Sequence, residues 1–290
     1  MFKLTVSLLA LSLTALPLHA APSARQIMQH SLDLDDGSSR YSQARMMSCA
    51  FVIKKGKRKC RSKPRLKLTE SLGKDVGAEG KDSLSLSLIL KPSSEKGMAF
   101  LQKDYDDTDK DSEQWMYLPA MKKLKRIVSE TDDGPKTGTL FGSELAYEDI
   151  EKHHINDSSY KLLEKNLSYG KRTVWKIKAT PTEKFAPKTS YGHSVVWIDQ
   201  QHYLPLKIEL YNRQGKLAKT LLQQKIQQIN GIWIAKRMQI INHSNQRMSL
   251  MVTDKLALNV DVPDGLLESR ALKDSNYRET QMKALRMLAK

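Results

Sequence analysis

The chain is poor in the residues on which several function classes depend. Two cysteines in 290 residues exclude a disulfide-dense scaffold and a multi-cysteine zinc module. No apolar stretch is long enough for a polytopic membrane bundle. The seven histidines include no His-Glu-x-x-His or other ligand spacing, and the adjacent pair His153-His154 would point to different sides of a helix. No serine stands in Gly-x-Ser-x-Gly, so a nucleophile-elbow hydrolase has no support, although a triad assembled across the chain leaves no linear trace. No glycine loop of the phosphate-cradling type is present. What the chain does have is 40% hydrophobic residues, enough to pack a core and to exclude intrinsic disorder as its main state.

Residues 1–20 read as an export signal. Lys3 supplies the positive start and Leu4 to Leu18 is an apolar run of 15 residues. Pro17 breaks that run, and Leu18-His19-Ala20 ends on a small residue suited to signal peptidase. The run is shorter than a membrane-spanning helix. No cysteine stands at the cleavage point, so the expectation is an unlipidated periplasmic protein, residues 21–290, in one domain. Lys and Arg number 48 against 32 Asp and Glu, a formal charge of +16, or +15 without Lys3.

Export permits a disulfide between Cys49 and Cys60. A hairpin turning near Ile53–Gly56 places them opposite each other. Two free thiols remain an alternative. A catalytic pair is disfavoured, since the spacing is not Cys-x-x-Cys.

Pro22-Ser23 opens a helix that puts Ala24, Ile27, Met28 and Ser31 on one face and ends at Asp35-Asp36-Gly37. The apolar period then becomes two. Leu84-Ser85-Leu86-Ser87-Leu88 alternates without a fault, and Leu66/Leu68/Leu72, Trp175/Ile177/Ala179, Leu204/Leu206/Ile208/Leu210, Met248/Leu250/Val252 and Leu256/Leu258/Val260/Val262 repeat the pattern. Turn residues separate these runs, among them Gly170, Asn212 to Gly215 and Asn230-Gly231. Such alternation predicts an antiparallel sheet with one apolar face, because the connections are too short for helical crossovers. That face must curl or be covered. The predicted cover is the N-terminal helix, a short helix at Ser143–Lys152 and a C-terminal amphipathic helix at Ser275–Lys290, with Met282, Leu285, Leu288 and Ala289 on one side. In the segment Leu217 to Ile229, the residues Leu217, Leu221, Leu222, Ile226 and Ile229 fit a helical period better than a strand. Its place between two hairpin turns favours a strand.

Nine of the fourteen residues from Lys54 to Lys67 are Lys or Arg, and Lys122, Lys123, Lys125 and Arg126 form a second cluster. In an exported protein, the polyanions within reach are lipid headgroups and acidic protein faces rather than nucleic acid. The bland reading is a solvated, edge-protecting face. Asp104, Asp106, Asp107, Asp109, Asp111 and Glu113 imitate a calcium loop, but Ser112 and Leu118 stand where Gly and Glu are required. Twelve methionines and aromatics such as Trp115, Trp197 and Trp233 suit an adaptable apolar cavity, or simply a core.

One stretch goes further than pattern. Trp115-Met116-Tyr117-Leu118-Pro119-Ala120, the basic run to Ile127, and then Phe141-Gly142-Ser143 and Tyr147-Glu148-Asp149-Ile150 resemble the bacterial outer-membrane lipoprotein-sorting family. The resemblance is to its LolA-like branch, whose members often accompany RND/MMPL-type exporters. Tyr203-Leu204-Pro205-Leu206 and Asn230-Gly231-Ile232-Trp233 fit as well, so the likeness covers most of the mature chain. It implies an α+β fold: a strongly curved antiparallel half-barrel with N-terminal, central and C-terminal helices over its concave face. It also implies a non-enzymatic lipid or lipoprotein carrier or chaperone that holds acyl chains for transfer toward the outer membrane, with no cofactor and no metal. By that resemblance, Trp115, Tyr117, Leu118, Phe141, Leu145 and Tyr147 border the cavity or its lid. Lys122, Lys123, Lys125, Arg126, Lys57 and Arg58 would meet headgroups or an acidic partner. The dense basic hairpin and the cysteine pair depart from the family pattern and leave cargo and partner open. A rival reading is an accessory adaptor of an RND/MMPL-type transporter with no lipid cargo. A third is a hydrolase of lipid esters.

Overall fold

Leucine and serine alternate from Leu84 to Leu88, and the sheet uses the two sets on opposite sides. The computed structural model describes residues 21–77, 79–131 and 134–289; the export signal expected at 1–20 lies outside them. Three helices and fourteen strands make up the described chain. The helices are α1 (Ala24–Leu32), α2 (Ser269–Lys273) and α3 (Ser275–Leu288). The strands are β1 (Ser39–Lys54), β2 (Lys57–Cys60), β3 (Arg65–Val76), β4 (Asp82–Lys91), β5 (Ala99–Asp104), β6 (Glu113–Leu118), β7 (Lys123–Ile127), β8 (Ser158–Tyr169), β9 (Arg172–Pro181), β10 (Tyr191–Asp199), β11 (Pro205–Asn212), β12 (Leu217–Ile229), β13 (Ile232–Asn242) and β14 (Arg247–Leu258).

All pairings are antiparallel. The order is β7-β6-β5-β4-β3-β1-β14-β13-β12-β11-β10-β9-β8, and β2 extends the upper end of β1. The sheet is curved and not closed. Its curl brings the β5–β6 loop against the segment between β9 and β10, where Lys184 meets Asp109 at 2.8 Å and Lys188 meets Asp111 at 2.7 Å. Register shifts in β1, β3, β8 and β10 supply the local bends such curvature needs.

The ladder separates the two faces. Ile177, Val196, Ile208, Leu221 and Ile240 stand side by side in one row across β9 to β13. With their neighbours they pack beneath α1 and the 140–150 segment. Leu101, Leu86, Leu72, Tyr41 and Ala257 form a second row across β5, β4, β3, β1 and β14. That row packs beneath α2 and α3, with Leu272, Met282 and Leu285. Phe100 alternates with Leu101 and belongs to the first face.

This corrects three expectations. The helices do not share one face: α1 lies on the first and α3 on the opposite one. The predicted helix at 143–152 is absent; two short 3-10 turns, Leu140–Gly142 and Glu148–Ile150, take its place. The reason is local. Phe141 and Gly142 adopt φ of 51° and 69°, and the chain folds back so that Leu140 N–H donates to Leu145 O at 2.9 Å. A helix would need donation four residues back instead. Third, Leu288 is 55% exposed while Met282, Leu285 and Ala289 are buried.

Leu217–Ile229 is a strand. Its helical appearance comes from apolar residues on both faces and from Lys225, which has φ 53° and falls between the pairs Gln224–Arg237 and Ile226–Ala235. α1 starts as expected, with Ser23 and Gln26 forming a reciprocal capping box.

Cys49 and Cys60 are bonded, with Cα atoms 5.7 Å apart. The turn is Lys55-Gly56, at φ 51° and 70°, a geometry that suits the twist of a two-residue hairpin. Closing so short a loop stabilises by about 3 kcal/mol through the unfolded chain. The paired Cys49→Ser, Cys60→Ser variant is therefore expected to lose up to about that amount in urea unfolding while retaining its circular dichroism spectrum.

Candidate functional site

On the first face, between α1 and the chain after β7, lies a cleft of about 210 Å³. Its floor is apolar: Tyr160 of β8, Ala179 of β9, Val196 of β10, Ile208 and Leu210 of β11, and Leu221 of β12. Met28 and Leu32 of α1 form one wall. Glu148, Asp149, Glu151, His153, His154 and Asp157 form the other.

Burial pushes four groups of this lining, Tyr160, Tyr191, His193 and Glu151, toward their neutral forms. Burial raises the Tyr160 hydroxyl to about 12. Burial and the carboxylates Asp149 and Glu148 push Tyr191 up as well. Burial, with Lys178 nearby, lowers His193. Burial raises Glu151 against the pull of Lys136. At neutral pH the two tyrosines and His193 are uncharged, so this lining suits an uncharged, largely apolar ligand.

The wall is a strap, residues 139–157, pinned along its length. Leu140, Phe141 and Leu145 are buried against Met46, Ile89, Phe100 and Ile240. Phe100 and Tyr147 stack with ring centres 5.6 Å apart. Gly138 makes room for that ring: a Cβ there would lie 2.7 Å from Tyr147 Cε2, and its φ is +101°, where glycine alone sits without strain.

Three acids then clamp the strap to different parts of the sheet. Glu144 accepts from Asn242 and Asn245 at 3.0 Å each and from Arg247 at 2.6 Å, fixing it to the β13–β14 turn. Glu148 accepts from the Ser190 amide at 2.9 Å and from Thr189 at 3.1 Å. Asp149, 1% exposed, pairs with Lys219 at 2.6 Å and accepts from Tyr191 at 2.6 Å and the Ala146 amide at 2.7 Å.

Across the strap, on the same face, lies a second, more polar cleft of about 440 Å³. The serines of the β3–β4 alternation, Ser71, Ser83, Ser85 and Ser87, line it with Arg40, Gln102 and Asp104. Ser71 and Ser87 hydroxyls are 2.8 Å apart, and Gln102 donates to Ile150 O at 2.7 Å.

The residues expected at a cavity do not all meet. Leu118, Phe141, Leu145 and Tyr147 gather on the first face. Trp115 and Tyr117 pack on the other, against the α3 cluster. Alternation along β6 makes this unavoidable, because adjacent strand residues point to opposite faces. Lys122, Lys123, Lys125 and Arg126 are exposed around the β6–β7 turn, and Arg126 pairs with Glu113 at 2.8 Å. Lys57 and Arg58 are exposed on β2. Sequence reasoning missed the floor residues Tyr160, Ala179, Val196, Ile208 and Leu210. The alternation that carries Ala179, Ile208 and Leu210 was visible, but the strands of Tyr160 and Val196, and which strands adjoin α1, were not.

Among the described residues there is no helix long and apolar enough to cross a membrane, and no group of three or more His, Cys, Asp or Glu placed to hold a metal ion.

The fold is that of LolA-like proteins. A putative outer membrane lipoprotein-sorting protein domain from Vibrio parahaemolyticus superposes with TM-score 0.73 at 28% identity, covering 87% of this chain and 98% of that one. A DUF1329 family protein from Desulfovibrio piger gives TM-score 0.75 at 23% identity over 86% of this chain and 97% of that one. A LolA superfamily protein from Nitrosomonas europaea gives 0.62 at 20% identity over 87% and 100%. No curated protein matches the chain significantly by sequence. A family model described as “-like: Uncharacterized protein” matches residues 81–274, and the chain belongs to that family.

Proposed function

We propose that this protein is a periplasmic carrier that holds the acyl part of a lipid or lipoprotein in the cleft between α1 and the strap. The apolar floor of Ala179, Val196, Ile208, Leu210 and Leu221, roofed at one side by Met28 and Leu32 of α1, carries this reading. The outer-membrane lipoprotein-sorting role named for the Vibrio relative supports it.

Energetics favour exchange of helix for cargo. α1 sits on the floor through Ala24, Ile27 and Met28, with a polar tie from Arg25 to Ile155 O at 3.3 Å and Asn156 at 2.5 Å. Burying one such aliphatic side chain is worth about 1.5–3 kcal/mol, whereas a dozen methylenes supply about 10 kcal/mol. An acyl chain can therefore displace the helix, and helix return favours release. The strap, held by buried ion pairs and Phe141, Leu145 and Tyr147, stays as the fixed wall. No catalytic step is required.

The test uses a fluorescent fatty-acyl probe and native mass spectrometry of periplasm-purified protein. Wild type is expected to bind the probe at one to one and to carry an acylated species. Leu210→Asp, which puts a charge on the floor, is expected to weaken probe binding at least tenfold. An empty wild type that ignores the probe would sink the carrier reading and favour the exporter adaptor.

A further inference from the structure

Antiparallel pairing sends the β1–β2 hairpin and the β4–β5, β6–β7, β11–β12 and β13–β14 turns to one edge of the sheet. Contacts link several of them along it. The Phe51 amide donates to Gln246 O at 2.8 Å, Lys67 bonds Glu95 of the β4–β5 turn, and Gly97 abuts Pro119 at the β6–β7 turn.

This edge is cationic. The eight Lys and Arg between residues 54 and 65 are all exposed, as are Lys91, Lys96, Lys122, Lys123 and Lys216. No ion pair among the described residues involves any of them. The acids here, Glu95 and Glu144, are already taken by Lys67 and Arg247. Elsewhere the balance differs: Asp36, Glu79, Asp106, Asp109, Asp111 and Asp264 each face a cation.

The same edge carries large apolar side chains in solvent. Ile53 is 68% exposed, Met121 63% and Leu66 56%. Single exposed apolar residues are ordinary. Three of them set among uncompensated cations, two next to tight turns, match the chemistry of a bilayer interface, where charge meets headgroups and short apolar groups enter between them. An acidic protein surface would be served by the cations alone and would leave these three side chains without a role.

We propose that this edge docks on an anionic lipid bilayer, with Lys55, Lys57 and Arg58 on the headgroups and Ile53, Leu66 and Met121 inserted. The disulfide, by bracing the hairpin at its base, keeps the tip projecting. The inference adds a surface to the carrier reading but needs no cargo, so either can fail alone.

Co-sedimentation with vesicles of phosphatidylcholine, with and without phosphatidylglycerol, tests it. Wild type is expected to bind the mixed vesicles and not the neutral ones, with binding weakened by salt. Lys55→Glu, Lys57→Glu, Arg58→Glu together are expected to weaken binding on the order of a hundredfold or more, without changing the circular dichroism spectrum. Ile53→Asp with Met121→Asp is expected to abolish the salt-resistant remainder, and Lys81→Glu, on the opposite edge, to bind as wild type does. Failure of wild type to bind the mixed vesicles overturns the proposal, as does equal binding by the triple variant. Binding to an acidic partner protein without vesicle binding overturns it too. Failure of probe binding in the cleft leaves these outcomes untouched.

Discussion

Asp149→Ala is expected to lower the unfolding free energy by about 3–5 kcal/mol, the usual consequence of removing one partner from a buried pair. The substitution leaves the Lys219 ammonium, 10% exposed, without its counter-charge. It also strips the acceptor from the Tyr191 hydroxyl and the Ala146 amide. Each buried orphan adds its own desolvation cost. Adding Lys219→Met to Asp149→Ala is expected to recover part of the loss, because the uncompensated charge goes while the aliphatic stem remains. Urea unfolding of the three variants measures this. If Asp149→Ala costs less than about 1 kcal/mol, in the range of exposed surface pairs, the strap is not anchored as described. Because Asp149 and Tyr191 both line the cleft, the single variant should also bind the acyl probe more weakly.

The second large effect is on the opposite face. Arg286 of α3 reaches Glu70, whose side chain is fully buried, through two bonds of 2.7 Å. Glu70 and Glu279 together hold the guanidinium strongly in its charged form. Glu70 also accepts from the buried Tyr41 hydroxyl, and burial with the adjacent carboxylate pushes that hydroxyl up. Arg286→Ala leaves the Glu70 charge with only neutral donors in an apolar layer. The expected cost is again about 3–5 kcal/mol. It should appear in hydrogen exchange as faster exchange of α3 amides, since α3 closes the cluster of Leu272, Met282 and Leu285. Glu70→Gln combined with Arg286→Ala is expected to restore part of the stability. Protection of α3 unchanged in Arg286→Ala would show that apolar burial alone holds the helix.

The first of these latches belongs to the motif that carries the family resemblance, and the motif's side chains are mostly spent on anchoring it. In Leu140-Phe141-Gly142-Ser143-Glu144-Leu145-Ala146-Tyr147-Glu148-Asp149-Ile150, the apolar residues enter the core and the acids clamp the sheet. Of its residues, Glu148 and Asp149 line the cleft. The clamping partners of the acids, from Thr189 to Arg247, lie from 41 to 103 residues further along the chain, so nothing in the local spacing announces them.

Much else was legible in the residues themselves. Period-two alternation with short turns determined an antiparallel sheet, since neither a helix nor a crossover can use that pattern. Ser23 and Gln26 determined where α1 begins, and the Lys55-Gly56 turn brought Cys49 to Cys60. Basic and acidic runs were plain to read. Only the tertiary structure decided how these parts face one another. Leu204, Leu206, Ile208 and Leu210 read as one alternating set, yet a register shift beside Trp197 splits them: Leu204 and Leu206 pack with Val195, while Ile208 and Leu210 turn to the cleft. Trp115 and Phe141 share a motif and end on opposite faces. Alternation assigns each residue to a side relative to its neighbours. Which side becomes the cleft, and which turns align into one cationic edge, depends on bulges, curvature and strand order, and these are set by contacts between residues far apart in the chain.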